Sequence, residues 1–550
     1  MKNGAAALIK TLIDSGIDTC FTNPGTSEMH FVAALDSSDM RAVLCLFEGV
    51  ATGAADGYAR MLEKPAATLL HLGCGLGNGL ANLHNARKAR VPMVNIIGDH
   101  ATYHTKFDAQ LQSDIETVAR NISTWVRTTS STGALCKDAV EAISVAKGPP
   151  SQISTLILPA DISWGENVDP APARAAEPAK PTSPGNIEKI ASILKNEKKV
   201  MLMLGGKAVR EQGLIAASRI AEKTGVKTFC EVFPTRIQRG EGLPFVERIA
   251  YLAEMASVQM NGMKHMILID SRAPVSFFAY PGKKSYLVPE GCEVLELSTA
   301  SEDVLQSLEQ LVKAVDATDT EPNLMPLERP KLPKGKLTAE KVCQAIGALL
   351  PENCIISDEA QTSGVKLPYY TASAPGHDVL TLTGGAIGQG LPVAVGAAVA
   401  CPGRKVLSLV GDGSAMYTIQ SLWTMKQENL DVVVVVFNNR SYAILNIELQ
   451  RVGADKIGPK ARGQLDLSEP AIDFVALARG MGVPAEKVDT AEELNEALQK
   501  GFDHKGPYLI DAIVPSEYEG LRLKALPHML TALDYIPNAV AKAIKRKLMP

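Results

Sequence analysis

The stretch KVLSLVGDGSAMYTIQSLWTMKQENLDVVVVVFNN, Lys405 to Asn439, holds the pattern on which the fold turns. Val406–Val410 is a continuous apolar run, as expected of a strand buried on both faces. A Gly-Asp-Gly turn follows, then a helix predicted over Ala415–Glu428, a second apolar strand over Asp431–Phe437, and the pair Asn438–Asn439. If the two strands are parallel neighbours, Asp412 and Asn439 leave the sheet together at its carboxyl edge, where open α/β sheets bind ligands. A carboxylate beside a carboxamide oxygen suits a hard dication such as Mg²⁺, which keeps waters and phosphate oxygens as its other ligands. Gly411, Gly413 and Ser414 then line a helix start whose free N–H groups favour an anion. Magnesium with a diphosphate is the ligand these residues ask for.

The same strand pattern recurs outward in both directions. AATLLHL and VPMVNIIGD lie in the first third, VMLMLGG and HMILIDSR in the middle, and ENCIISDE just before the opening stretch. Apolar runs alternating with helical segments imply parallel sheets with right-handed crossovers. Two Pro-rich stretches without apolar periodicity, Asp169–Asn186 and Asp316–Lys336, read as linkers. The expected architecture is α/β, with three doubly wound parallel-sheet domains over residues 1–168, 187–315 and 337–525 and a C-terminal tail over 526–550.

Composition excludes several classes. The 550 residues are 46% hydrophobic, with 56 basic against 60 acidic side chains, as in a well-cored globular chain. A net charge of −4 offers no field to nucleic acid or an anionic membrane. No apolar run reaches the roughly 18 residues of a membrane helix. The start, MKNGAAALIKTLIDSG, reads as an amphipathic helix and not as a signal peptide. Nine cysteines without a CxxC spacing are expected as buried free thiols in a reducing compartment, the cytoplasm.

The GDG–NN stretch resembles the thiamine-diphosphate signature of the superfamily of pyruvate decarboxylase, acetolactate synthase and benzoylformate decarboxylase. The resemblance spans nearly the whole chain and implies pyrimidine-binding, central and diphosphate-binding domains in that order. It implies that Mg²⁺ is held by Asp412, Asn439 and the backbone carbonyl of Ser441. AVLCLFEGVATGAADGYAR resembles the family's glutamate segment, which makes Glu48 the group that shares a proton with N1′ of the cofactor. TGGAIGQGLP resembles the loop that bends the cofactor, with the Gly385 carbonyl facing its 4′-amino group and Ile387 beneath its thiazolium ring. SDEAQTSG falls where the family contacts the diphosphate, giving Gln361 and Thr362. The family's two segments meet across a subunit interface, so the resemblance also implies a homodimer, paired into a homotetramer.

Pocket residues separate the subclasses. Thr26 in NPGTSE and Leu445 in SYAIL stand where pyruvate decarboxylases carry acids, and Phe107 and Asp108 replace their paired histidines. Thr26 and His71 instead match the Ser and catalytic His of benzoylformate decarboxylases. A histidine at a strand end beside a thiamine pocket can return a proton to carbon. The second histidine of that family has no counterpart, Ala279 and Tyr280 standing there, and Glu448 replaces an aromatic residue, which argues against an aryl substrate. The rival is an acetolactate-synthase-like carboligase, in which Gln110 or Gln112 supplies the pocket glutamine. LMLGGKAVREQG has no dinucleotide fingerprint, so no FAD is expected. His100 and His104, spaced i, i+4, read as pocket-mouth loop residues more readily than as a metal pair. The expected activity is non-oxidative decarboxylation of a 2-oxo acid. A cofactor-binding regulatory relative is the non-enzyme alternative.

Overall fold

A computed structural model of the chain describes residues 3–452 and 457–516. The expected tail 526–550, and the end of the segment expected over 337–525, lie outside the described residues.

Three sheets organise the molecule. In spatial order the first runs Arg41–Leu44, Thr19–Asn23, Ala66–His71, Met93–Asp99, Ile153–Pro159 and Trp125–Thr128, every pair parallel. The second runs Glu247–Arg248, Lys227–Cys230, Val200–Leu204, His265–Ile269 and Glu293–Ser298, again parallel throughout. The third runs Ala485–Val488, Tyr508–Ile513, Val432–Asn438, Val406–Gly411, Ile355–Glu359 and His377–Thr381, with Ile237–Arg239 added antiparallel at one edge. That last strand comes from the middle of the chain and ties it to the third sheet.

Val406–Gly411 and Val432–Asn438 are parallel neighbours in register Val406↔Val432 to Gly411↔Phe437. Their Val and Leu side chains are buried on both faces. The strand reading therefore holds, and both strands end at one edge.

The helix between them is not the one expected over Ala415–Glu428. The chain makes a single short turn, Asp412–Ala415, then irregular backbone, then a helix over Ser421–Gln427. Tertiary contact overrides local propensity in the gap. The Thr418 hydroxyl donates to the Gly388 carbonyl (2.9 Å), and the Tyr417 ring packs on Gly388.

Two helices bring the sheets together. Glu48–Leu62, from the first layer, lies along Gly390–Ala400, whose residues are almost all buried. Their backbones approach so closely that a Cβ at Gly57 would lie 2.2 Å from the Val393 carbonyl oxygen. The ADGYA run is thus a packing surface as well as a signature. Asp56 and Arg60 on the same helix form a fully buried ion pair (2.7 Å), and Arg60 also donates to the Thr381 carbonyl (2.8 Å).

The cysteines are all free, but not all buried. Cys74 is exposed, and Cys292 and Cys401 are partly so. Cys74 lies in the first turn of helix Leu72–Ala89, on a face that no described element covers.

Candidate active site

The carboxyl edge of the third sheet gathers the first group of candidates. Asp412 is buried, with Oδ1 accepting from the Gly413 N–H (2.8 Å) and Oδ2 from the Arg440 N–H. It forms no ion pair among the described residues, and burial pushes its pKa up to about 6. Asn439 leaves the neighbouring strand, and its side-chain oxygen accepts from the Ser441 N–H (2.9 Å). The Ser441 carbonyl accepts from Ala443 (2.9 Å). Each of these three groups keeps lone-pair capacity for a cation. Asn438, by contrast, is buried and donates to Asp511 (2.9 Å), a structural bond. A buried carboxylate short of counter-charge, beside an amide and a carbonyl oxygen, fits a hard dication.

Gly411, Gly413 and Ser414 surround Asp412, but in a four-residue turn. The helix dipole expected there is therefore too short to argue from, and any anion would rest on individual amides. Gln361 and Thr362 follow strand Ile355–Glu359 in a 3₁₀ turn on the same edge, with Gln361 at φ +49°.

The loop Thr383–Gly390 is fastened to helix Leu72–Ala89 by a row of bonds. Asn85 donates to the Ala386 carbonyl (2.8 Å) and accepts from its N–H (3.1 Å). The His84 Nε2–H donates to the Gly384 carbonyl (3.1 Å). Asn82 donates both to the Gly49 carbonyl (2.8 Å) and to the Gly388 carbonyl (3.2 Å). Through Asn82 the loop carrying Gly385 and Ile387 and the start of the Glu48 helix are one residue apart. The Phe277 ring lies directly against Gly385.

Glu48 is the first residue of its helix and is 8% exposed. The Asn78 amide donates to its Oε2 (3.0 Å). The preceding segment is less buried than its apolar sequence suggests, with Leu44 37% and Leu46 48% exposed.

His71 ends strand Ala66–His71, and its Nδ1 pairs with Glu28 Oε2 (2.8 Å). Glu28 is 2% exposed and also accepts the Gly25 N–H (2.7 Å). Burial raises its pKa, while the Gly25 N–H and His71 pull it down. Thr26 lies exposed between Gly25 and Glu28 in the same short turn, so the structure does bring Thr26 and His71 together. Gln112 turns inward, its Oε1 buried without a partner among the described residues, whereas Gln110 is exposed. The His100 and His104 rings lie 5.4 Å apart, but no group of three or more His, Cys, Asp or Glu able to hold a metal exists among the described residues. Tyr280 donates to the Glu448 carboxylate, and the Arg451 guanidinium stacks 3.9 Å from the Tyr280 ring while pairing with Glu254 (3.1 Å).

Sequence reasoning passed over Glu28, Asn78, Asn82, Asn85 and Glu359. Two signals were there to be read. Gly25 and Glu28 have capping-box spacing, and residues 78, 82 and 85 share one face of a helix.

Comparison with known proteins identifies the family. Residues 2–119 match the N-terminal, and residues 360–512 the C-terminal, TPP-binding domain of thiamine pyrophosphate enzymes. A Mycobacterium tuberculosis protein provisionally named as an acetolactate synthase large subunit, IlvX, is 56% identical over 94% of this chain and 99% of its own. Benzoylformate decarboxylase of Pseudomonas aeruginosa is 29% identical over 94% and 99%. The 4-hydroxybenzoylformate decarboxylase of Rhodococcus jostii shares the fold, with TM-score 0.83 and 24% identity over 94% of this chain and 100% of that one. With two domain models matched and a relative this similar over nearly its whole length, the chain belongs to the thiamine pyrophosphate enzymes and is a thiamine-diphosphate-dependent enzyme.

Proposed function

We propose that the enzyme cleaves the C–C bond next to the carbonyl of a 2-oxo acid, releasing CO₂ without oxidation, with thiamine diphosphate and Mg²⁺ bound. The observation that carries this reading is the His71–Glu28 pair at the carboxyl edge of the first sheet. Asp412, Asn439 and the Ser441 carbonyl would hold Mg²⁺, and Gly411, Gly413, Ser414, Gln361 and Thr362 would border the diphosphate. The Gly385 carbonyl and Ile387 would support the rest of the cofactor. Bound thiamine diphosphate supplies the electron sink beside the substrate carbonyl. Glu48, buried and held by the Asn78 amide, is the group that would share a proton with N1′ of the bound cofactor.

The remaining steps belong to the protein's own groups. Glu28 engages His71 Nδ1, which leaves Nε2 for the substrate. His71 and the Thr26 hydroxyl bind the substrate carboxylate. Once CO₂ has left, His71 Nε2 delivers a proton to the carbon it vacated, and an aldehyde departs. A second copy of the chain fits the apolar side chains left exposed beside both segments, Leu44 and Leu46 near Glu48, and Met416 and Tyr417 near Asp412.

The second reading, ligation to another carbonyl compound, is favoured by the name of the 56% identical relative. A panel of 2-oxo acids, assayed for both CO₂ and hydroxyketone, distinguishes the two. In the decarboxylase reading, His71→Ala slows aldehyde release far more than CO₂ release. Equal rates for both steps in the variant would move the carboligase ahead.

A further inference from the structure

Helix Gly390–Ala400 is wholly apolar, and its N-cap, Gln389, makes no side-chain capping bond. The first N–H groups of a buried helix still need acceptors. They find them in a residue some thirty positions earlier. Glu359, the last residue of strand Ile355–Glu359, is 1% exposed. Its Oε1 accepts from the Gly388 N–H (2.6 Å) and the Gln389 N–H (3.3 Å), and its Oε2 from the Gly390 N–H (2.6 Å). Ser357, two residues back on the same face of the strand, donates to the Gly390 carbonyl (2.8 Å).

The glycines of the loop follow from this clamp. Gly388 has φ +93°, which points its N–H at the carboxylate, and a Cβ at Gly390 would lie 2.9 Å from Glu359 Oε2. The other end of the loop is held as firmly. Arg60 donates to the Thr383 hydroxyl (3.0 Å), which donates in turn to the Asn85 carbonyl (2.8 Å).

We propose that Glu359 is the positioning residue of the loop Thr383–Gly390, fixing through three backbone amides the turn that presents Gly385 and Ile387. The inference rests on the reading of that loop as the cofactor's support. It has a second consequence. The amides at the helix start at Gly390 are taken by the protein's own carboxylate and are closed to an anionic ligand.

The test is Glu359→Gln, which keeps the shape but turns one acceptor into an NH₂ facing an N–H. The expected result is faster hydrogen exchange at the amides of Gly388–Gly390 in cofactor-free protein and thiamine diphosphate affinity at least tenfold weaker by calorimetry. At saturating cofactor, kcat for the 2-oxo acid, counted per cofactor-loaded site by calorimetric titration, falls while its KM holds. A loss of global stability alone would lower the number of loaded sites and leave the rate per site unchanged. Glu359→Asp, which keeps the charge, gives intermediate exchange rates and covers the case in which the Gln variant does not fold. Wild-type amide exchange and wild-type cofactor affinity in both variants would overturn the proposal. If the wild-type protein itself bound no thiamine diphosphate, the functional reading would fail, whereas the clamp would still show in the amide exchange.

Discussion

At the carboxyl edge of the third sheet, Asp412 is buried among amide donors with no cationic side chain paired to it. At the same edge of the second sheet, Asp270 is equally buried, yet it is fully engaged. Its Oδ1 accepts from Arg90 (2.9 Å), and its Oδ2 accepts from the Lys207 N–H (3.1 Å) and lies against Gly206 in the glycine turn after strand Val200–Leu204. Both sheets are parallel there, and both edges are where α/β folds place ligands. The second edge also opens a cavity of about 760 Å³ lined by Arg90, Glu231, Asp270 and Arg272 among others. Topology and an open cavity therefore do not distinguish the two edges. Charge balance does: one edge leaves a buried carboxylate with no cationic partner among the described residues, and the other has filled its own turn.

The sharpest way to break this comparison is to substitute the buried carboxylate that starts helix Glu48–Leu62 and is proposed to act on the cofactor. Glu48→Gln should lower turnover by about 10²–10⁴-fold, the usual worth of a general acid–base group. Its circular dichroism and melting temperature should match wild type. Wild-type turnover would return Glu48 to the role of a helix-start residue.

Asp412→Ala comes next. Removing the one carboxylate of the proposed magnesium set should weaken thiamine diphosphate binding at least tenfold, about 1.4 kcal/mol. Stripping Mg²⁺ from wild type with a chelator should do the same, and the variant should then lose nothing further on chelation. Calorimetry with and without Mg²⁺ checks both.

The unequal legibility of these two edges has a physical origin. Short Val-rich and Leu-rich runs bounded by turn residues fit strands covered on both faces, and their recurrence between helical segments made the three parallel sheets readable from composition and spacing. Asp412 and Asn439 were readable because strand ends fix where the next residue emerges. The helix after Asp412 was not, because what interrupts it is Thr418 bonding to Gly388, a partner some thirty residues away. Glu28 and Glu359 were missed for a related reason. The Gly25 N–H is three residues from Glu28 in capping-box spacing, but the His71 ring and the Gly388–Gly390 amides reach these carboxylates only by folding, and amides carry no sequence signature. Leu44 and Leu46 misled in the opposite direction, since an apolar run shows that a surface is to be covered but not whether the same chain covers it.

A smaller effect sharpens the comparison from the other side. Asp270→Asn keeps one acceptor for Lys207 but removes the charge that Arg90 faces. Arg90 is 30% exposed and can turn to water, so the stability loss should be about 1 kcal/mol. Thiamine diphosphate affinity and turnover should not change. A variant that lost cofactor binding would show that the second edge is coupled to the first. Urea unfolding beside calorimetry reads both quantities.

The smallest expected effect concerns Glu231, which shares the second cavity with Asp270. Burial pushes its pKa up from 4.5 to about 7, against the pull of Arg90 and Arg272 and with a push from Asp270. The direction of the pH dependence follows from where the proton resides. Between pH 4.5 and 7 the folded chain still holds a proton on Glu231 that the unfolded chain has released, so stability falls as pH rises through that window and levels off above it. Glu231→Gln stays neutral at every pH. It should match wild type at the acid end of the window and exceed it at pH 8 by about 1–2 kcal/mol, less than the full linkage because water still reaches the half-buried carboxylate. Urea unfolding at the two ends of the window measures the difference. A Gln variant less stable than wild type at pH 8 would mean that Arg90 and Arg272 hold Glu231 as an anion, and that the second edge balances its charges as completely at Glu231 as it does at Asp270.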